Sequence, residues 1–369
     1  MWNLGRQVIT VMLTVFSLID ISTAKTVPAM FVFGDSLLEV GNNNYIATLS
    51  KANYIPNGID FGGPTGRFTN GRTIIDILGQ EIGIEGFIPP YMAPSTSGDV
   101  ILKGVNYASG SGGILNLTGL IIFIKNINMD AQLDNFANTR QEITSLIGET
   151  AAKDLLLNNA LFTVGMGSND FVNNYLIPII SKGEQTLVSP QSFVSSLITR
   201  LRLQLKRLYS MDARKFVVAN VAPIGCIPYM RDANLAEPGD DCYDYGNQLA
   251  QLFNRRLKTL VSELSRELEG SAFVYANTYH IFSDILQNYT SYGFENADFA
   301  CCSIAGRHGG LIPCTPPSHV CRDRSKYVFW DPYHPSDAAN VIIANRLLHG
   351  TRPDVWPVNI RQLLKRQTF

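Results

Sequence analysis

Charged residues and long apolar runs are both scarce in this sequence. Charged side chains make up only 17% of the 369 residues, and the formal net charge is −1. The chain therefore lacks the basic face on which nucleic-acid binding usually depends. The apolar stretch Val8–Ile19 is shorter than the roughly 20 residues that a membrane-spanning helix needs, and no later segment reaches that length. We expect no nucleic-acid partner and no integral membrane segment.

Several patterns for metals, phosphates and hydrolases are also missing. The five histidines and six cysteines fit no zinc-finger spacing, and no histidine lies in a D-x-H motif. Neither glycine pattern for phosphates, G-x-x-x-x-G-K-[ST] or G-x-G-x-x-G, is present. No serine has the G-x-S-x-G motif of an α/β-hydrolase. We expect neither a metal nor a cofactor.

The first 24 residues have the pattern of a secretory signal peptide. Arg6 gives a positive start, Val8–Ile19 forms the apolar core, and Ser22–Ala24 supplies small residues for cleavage. Two N-x-T sequons predict glycosylation at Asn116 and Asn288. We expect a secreted, extracellular protein whose remaining residues, 25–369, form a single domain.

The cysteine count agrees with an oxidising compartment. Six cysteines form an even number, which favours disulfides over free thiols in a secreted chain. Six cysteines allow 15 pairings. We expect Cys226 to pair with Cys242, and the Cys301/Cys302 pair to be crossed with Cys314 and Cys321.

Apolar segments of strand and helix type alternate along the chain. Strands are predicted at residues 30–33, 100–107, 159–165, 215–221 and 272–276. Helices are predicted at residues 73–82, 131–147, 191–209, 243–268, 279–287 and 336–348. Strands separated by helices indicate one α/β domain with a parallel, doubly wound sheet of five strands.

Two distant motifs carry candidate catalytic residues. Ser36 follows the first predicted strand, at the end where open α/β sheets bind ligands. Near the C-terminus, Asp331 and His334 lie three residues apart, just before a helix. A serine nucleophile needs an adjacent base that is oriented by a third group, and these two residues could supply both. The alternatives are that Ser36 caps a helix and that His334 is a capping or core histidine.

Two further loops at strand ends could stabilise negative charge. The glycine turn 110–113 follows the second predicted strand, and Asn169 follows the third. Acyl transfer needs hydrogen-bond donors where an oxyanion develops. The backbone N–H groups of Ser36 and of Gly112 or Gly113, with the amide of Asn169, would serve. The turn could instead be a flexible loop, and Asn169 a turn residue.

Together these blocks resemble the GDSL-type esterase/lipases, or SGNH hydrolases, over residues 28–350. The sequence between these blocks is similar to that of the large secreted plant branch of the family. Glu39, Ser336 and residues 55–57 differ from the usual residues of that branch. The resemblance is carried by four ordered blocks: Gly34-Asp35-Ser36-Leu37, Gly110–Gly113, Gly167-Ser168-Asn169-Asp170 and Asp331-x-x-His334-Pro335.

This resemblance implies a three-layer α/β/α domain of SGNH or flavodoxin-like type. It implies Ser36 as nucleophile, His334 as base and Asp331 as its orienting group, with Asn169 and a turn glycine as oxyanion donors. The implied reaction is hydrolysis of small-molecule or lipid acyl esters through an acyl-enzyme. Two alternatives stay open: transfer of the acyl group to an alcohol, and a secreted binding protein whose site is unused.

Overall fold

The computed structural model describes residues 29–177, 188–234 and 241–366; the predicted signal peptide lies outside them. The strands are β1 (Ala29–Gly34), β2 (Ala160–Gly165), β3 (Lys215–Ala219), β4 (Ala272–Ala276), β5 (Asn296–Ala300), β6 (Cys302–Ser303), β7 (His319–Val320), β8 (Tyr327–Phe329) and β9 (Val355–Trp356). Within the described ranges, the α-helices of five residues or more are α1 (Ile74–Ile82), α2 (Met129–Ile147), α3 (Glu149–Asn158), α4 (Pro190–Ser210), α5 (Pro228–Ala233), α6 (Asp244–Glu267), α7 (Thr278–Gln287), α8 (Asp337–His349) and α9 (Ile360–Leu364).

The central sheet has the strand order β1-β2-β3-β4-β9. Strands β1 to β4 are parallel, whereas β9 pairs antiparallel with β4. The register aligns four phenylalanines across the sheet, and their ring centroids are 4.2–5.9 Å apart along the row Phe31, Phe162, Phe216 and Phe273. Because parallel strands end at the same edge, the loops after β1 and β2 lie side by side.

Side chains alternate between two apolar layers, one on each face of the sheet. Phe31 and Phe33 of β1 pack in one layer with α2, α4 and α6. Met30 and Val32 pack in the other layer with α1, α7, α8 and α9. The chain therefore forms helix, sheet and helix layers, which confirms the predicted three-layer α/β/α architecture.

The predicted strand at residues 100–107 is wrong in its extent. Residues Gly98–Lys103 form a 3₁₀ helix, and only the following segment runs beside β1. There Val32 donates to the Val105 carbonyl, and Tyr107 donates to the Val32 carbonyl. Gly104 has a φ of 118° and lies against the Met30 backbone, so the chain changes direction where the strand was expected. The fifth strand of the sheet is instead β9, so four of the five strands are parallel.

Disulfides join all six cysteines. Cys226 pairs with Cys242, as predicted. The two adjacent cysteines pair in a nested arrangement, Cys301 with Cys321 and Cys302 with Cys314. These last two bridges hold the irregular chain between β5 and β8. In the described ranges of the chain, no helix is both long and apolar enough to span a membrane.

Candidate active site

Ser36 lies two residues beyond the end of β1, in a tight turn. Its position depends on Gly34, where an added Cβ would lie 2.8 Å from the Gly165 carbonyl oxygen. The Asp35 carboxylate accepts a hydrogen bond from the Leu37 N–H at 3.0 Å. The glycine thus allows β1 and β2 to end in contact, and the aspartate closes the turn around Ser36.

Gln132 of α2 holds this turn through two side-chain hydrogen bonds, a role that the sequence analysis did not predict. Its amide nitrogen donates to the Gly34 carbonyl at 2.8 Å, and its amide oxygen accepts from the Gly34 N–H at 2.9 Å. Gln132 is fully buried on the same helix face as Leu133 and Phe136. The sequence does contain a signal for this role: a glutamine lies within the apolar stripe of the helix. A buried amide needs specific hydrogen-bond partners, so such a glutamine is expected to hold another segment of the chain.

His334 and Asp331 lie in the loop between β8 and α8. Nε2 of His334 is 2.8 Å from the Ser36 Oγ, and Nδ1 is 2.8 Å from both Asp331 carboxylate oxygens. The backbone N–H groups of Tyr333 and His334 also donate to Asp331 at 2.8 Å. With Nδ1–H facing the carboxylate, Nε2 is left to accept from the serine hydroxyl. The fold therefore brings the three residues into one hydrogen-bonded chain.

Asn169 follows β2 and faces the same space as Ser36. Its amide nitrogen donates to the Gly112 carbonyl at 2.9 Å, and its oxygen accepts from the Asn173 amide at 2.6 Å. A side-chain amide has two N–H donors, and the second is not used in these contacts. The structure thus brings Asn169 and the glycine turn together beside Ser36.

Gly112 and Gly113, the two candidate donors of the glycine turn, make different contacts. The Gly112 N–H donates to the Ser109 carbonyl at 3.0 Å, so this donor is already engaged within the turn. At Gly113 an added Cβ would lie 2.5 Å from the Thr118 side chain. This close contact leaves room only for glycine at position 113. Ser111, between Gly110 and Gly112, lines the cleft with Ser36 and Asn169.

Two cavities flank Ser36. One is a cleft of about 820 Å³, including its open mouth, with polar and apolar walls. The other encloses about 600 Å³ when the open space at its mouth is included, and it is mainly apolar. Ser36, Asn169 and His334 line both cavities. Among the residues that the structure describes, no cluster of three or more His, Cys, Asp or Glu side chains could hold a metal ion.

Sequence comparisons show which known family the chain resembles. The family model described as GDSL-like lipase/acylhydrolase matches residues 30–347. The chain belongs to that family. It is 58% identical to one GDSL esterase/lipase of Arabidopsis thaliana, over 97% of this chain and 96% of the relative. Two other GDSL esterase/lipases of that plant are 52% and 50% identical, over 92% and 91% of this chain and 91% and 87% of the relatives.

Family membership makes this GDSL protein a carboxylic ester hydrolase that acts on acyl esters. The predicted family and enzyme class are therefore confirmed. The matched residues extend from β1 through most of α8, so they include the loops that hold Ser36, Asn169 and His334.

Asp170 ties the β2 loop of the GDSL hydrolase to the glycine turn. Its carboxylate accepts from the backbone N–H groups of Ile114 and Leu115 at 2.8 and 3.1 Å, and from the Thr118 hydroxyl at 2.6 Å. Thr118 belongs to the sequon of Asn116, which is itself exposed. Asn169 is thus positioned by a neighbour that anchors both loops.

Three carboxyl groups are fully buried beneath the site. Desolvation raises the pKa of Asp35 to about 6 and that of Asp170 to about 6. Desolvation also raises the pKa of Glu39 to about 8, opposed by the N–H groups of Asn43 and Gly110, which donate to its two oxygens. These three carboxyl groups accept hydrogen bonds from the backbone of the active-site loops. When they ionise, each places a charge in a buried site, which is unfavourable and raises their pKa values.

These shifts predict that the hydrolase loses stability as pH rises. The ordinary pKa of Glu39 is 4.5 and its folded pKa is about 8. Between these values the folded state retains a proton that the unfolded state releases, so the free energy of unfolding falls with rising pH. Urea denaturation at pH 4.5, 6 and 8 should show this fall, which Asp35 and Asp170 reinforce up to about pH 6.

Glu39→Gln should flatten the pH dependence above pH 6 while lowering stability by about 1–3 kcal/mol, because one backbone N–H loses its acceptor. Glu149→Gln, on an exposed helix turn, is the control and should keep the wild-type profile above pH 6. An unchanged slope in Glu39→Gln would show that Glu39 does not retain the proton.

Ser111 combines two unfavourable features that a substitution can separate. Its φ is 62°, in the left-handed region, and its buried hydroxyl has no hydrogen-bond partner. Left-handed backbone costs a non-glycine residue about 1–2 kcal/mol. Ser111→Gly should therefore raise the free energy of unfolding by about 1 kcal/mol, and Ser111→Ala, which removes only the hydroxyl, should raise it less. Equal or lower stability of Ser111→Gly would contradict this account.

Proposed function

We propose that this protein is a secreted serine esterase or lipase that works through an acyl-enzyme on Ser36. The observation that carries the proposal is the continuous hydrogen-bonded chain from the Ser36 Oγ through His334 to Asp331, in which each link is 2.8 Å. His334 and Asp331 are both buried, whereas Ser36 is partly exposed in the cleft. A shielded base and an accessible nucleophile are what acyl transfer from a diffusing ester requires.

In the first half of the reaction, the Ser36 oxygen attacks the ester carbonyl carbon as its proton passes to Nε2 of His334. Asp331 holds the Nδ1–H and stabilises the imidazolium that forms. The tetrahedral intermediate then collapses, the carbon–oxygen bond to the alcohol breaks, and His334 gives its proton to the departing alcohol. Ser36 is left as an acyl ester.

In the second half, water enters the site and His334 accepts its proton as the water oxygen attacks the acyl carbonyl. The bond to the Ser36 oxygen breaks and His334 returns the proton to that oxygen. The products are a carboxylic acid, an alcohol and free enzyme. No cofactor or metal takes part in either half.

For the oxyanion we propose donors from three loops: the Ser36 N–H, the second amide N–H of Asn169 and a backbone N–H of the glycine turn. Gly112 is disfavoured because its N–H is bonded to Ser109, and the Gly110 N–H is held by Glu39. Ser111 lines the cleft with Ser36 and Asn169, which favours its N–H over that of Gly113.

Secretion is proposed from the sequence, with support from the fold. Residues 1–24 would be removed as a signal peptide, and residues 25–369 would form the single mature domain. The three disulfides suit an oxidising compartment. Asn116 and Asn288 are both exposed, as glycan attachment in the secretory route requires.

Product analysis tests the proposal against its two alternatives. The purified protein is incubated with a p-nitrophenyl ester, with and without a primary alcohol. Release of free acid in both samples is the expected result. Formation of a new ester as the main product would make it an acyltransferase, and no product from esters of any chain length would favour a binding protein.

A further inference from the structure

Gln132, which holds the Ser36 turn from α2, makes three hydrogen bonds with its side-chain amide. Two of them join it to the N–H and the carbonyl of Gly34, as described above. The third runs from its amide nitrogen to the Ile127 carbonyl at 2.8 Å. A glutamine amide offers two N–H donors and one acceptor oxygen. Both donors and the oxygen of Gln132 are therefore engaged, and all their partners are backbone groups.

The third hydrogen bond connects Gln132 to the glycine turn. Ile127 donates its N–H to the hydroxyl of Ser109, the residue just before the turn, at 3.0 Å. At Gly112 an added Cβ would lie 2.9 Å from the Ile127 carbonyl oxygen and 3.6 Å from the Gln132 amide nitrogen. The Gln132 amide thus lies beside the backbone of the turn from which we propose one oxyanion donor.

The Gly34 carbonyl is shared between Gln132 and the start of the glycine turn. It accepts from the Ser109 N–H at 3.1 Å as well as from the Gln132 amide. The Gly112 carbonyl in turn accepts from the Asn169 amide. One buried amide therefore joins the turn that carries the nucleophile to the loops from which oxyanion donors are proposed.

Burial and chemistry fix the Gln132 amide in one orientation. Its side chain is fully buried, next to Leu133 and Phe136 of the same helix, which pack in the apolar layer. The Gly34 N–H can only donate, and the two carbonyls can only accept. A flipped amide would leave all three groups unpaired, so the hydrogen-bond network assigns the amide nitrogen and oxygen. A buried group without its partner keeps its desolvation penalty, which makes this arrangement stiff.

We propose that Gln132 is a positioning residue for catalysis, which sets the spacing between the Ser36 hydroxyl and the oxyanion donors. This inference rests on the proposed function, because that spacing matters only when Ser36 attacks the ester. Gln132 acts through Gly34 on one side and through Ile127 on the other. The nucleophile and the oxyanion donors must fit one transition state, and a displacement of about 1 Å can lower the rate about 10²-fold.

Gln132→Met tests the proposal, because it keeps a side chain of similar length and removes all three hydrogen bonds. It should lower kcat per folded molecule by roughly 10–100-fold, with little change in KM. Gln204→Met is the matched control. Gln204 is a second buried glutamine, on α4, whose amide donates to the Ile114 carbonyl rather than to Gly34, and it lines neither cavity at Ser36. This control should lower the melting temperature and keep kcat close to wild type.

A double variant separates positioning from a general loss of packing. Asn169→Ala removes the proposed side-chain donor to the oxyanion. If Gln132 aligns Ser36 with the oxyanion donors, Gln132→Met should lower kcat by a smaller factor in the Asn169→Ala background than in wild type. Substitutions that disturb the same transition-state contact are not additive.

Gln132→Glu covers the case in which Gln132→Met does not fold. The introduced carboxyl group has nearly the shape of the amide. Protonated, it keeps the acceptor and one of the two donors; ionised, it faces two carbonyls with no donor. Its kcat should therefore lie between those of wild type and Gln132→Met at pH 5.5, and fall further relative to wild type as the group ionises.

Three results would overturn the positioning role. They are a wild-type kcat in folded Gln132→Met, equal losses of kcat in Gln132→Met and Gln204→Met, and a wild-type kcat in Gln132→Glu throughout the range from pH 5.5 to pH 9. Hydrolysis that persists in Ser36→Ala would instead refute the proposed function, so the two failures are distinguishable.

Discussion

Ser36→Ala and His334→Ala are each expected to lower kcat by roughly 10⁶-fold, the loss seen when a serine hydrolase loses its nucleophile or base. Without Ser36 no acyl-enzyme forms, and without His334 the hydroxyl keeps its proton at neutral pH. Asp331→Asn should cost less, about 10⁴-fold, since it leaves the imidazole in place but no longer fixes its tautomer. Steady-state hydrolysis of p-nitrophenyl butyrate measures all three variants.

The chain supplies a matched control for these variants in a second buried histidine–carboxylate pair. Nδ1 of His308 is 2.9 Å from Asp232, and both side chains are buried, but neither residue lines the cavities at Ser36. His308→Ala should lower the melting temperature and leave kcat per folded molecule close to wild type. If His308→Ala and His334→Ala lost activity equally, the loss would reflect folding rather than catalysis.

Asn169→Ala is expected to lower kcat by roughly 10²–10³-fold, the usual cost of removing one oxyanion donor. The effect should fall on kcat with little change in KM, because the lost hydrogen bond is made only in the transition state. Asn169 also donates to the Gly112 carbonyl, so some loss of stability is expected as well. Melting temperature and kcat should therefore be measured on the same preparation.

Asn126→Ala is the control for that substitution. The Asn126 amide is buried and donates to the carbonyls of Ser111 and Thr118, and Asn126 lines neither cavity at Ser36. It should lose stability and keep most of its turnover. Near-wild-type kcat in Asn169→Ala, with a lowered melting temperature, would make Asn169 a structural residue only.

Much of the fold was predictable because local signals agree with the tertiary packing. The strand at Ala272–Ala276 has the predicted bounds, and α4 and α6 lie within a residue of theirs. Both helices carry long apolar stripes that face the sheet. Ser336, the first residue of the predicted final helix, caps α8, and its hydroxyl accepts from the Ala339 N–H. Where hydrophobic periodicity, capping residues and burial indicate the same element, the sequence alone is enough to predict that element.

The errors arose where packing overrides local preference. Residues 100–107 are rich in strand-forming types, yet the backbone approach of Gly104 to Met30 prevents a regular ladder. The edge strand β9 has only two residues, so no periodicity could reveal it. That Ser36, His334 and Asn169 lie close together was predictable from motifs in loops that follow strands. Gln132 and Asp170 act through contacts across long sequence separations, which a motif does not encode.

The central claim is that Ser36 is the nucleophile, and covalent labelling measures this most directly. A fluorophosphonate probe reacts with an activated serine, and mass spectrometry of the digested protein locates the adduct. The account predicts one adduct, on Ser36, that forms rapidly in wild type and very slowly in His334→Ala. An adduct on another residue, or an unlabelled protein that still hydrolyses esters, would contradict it.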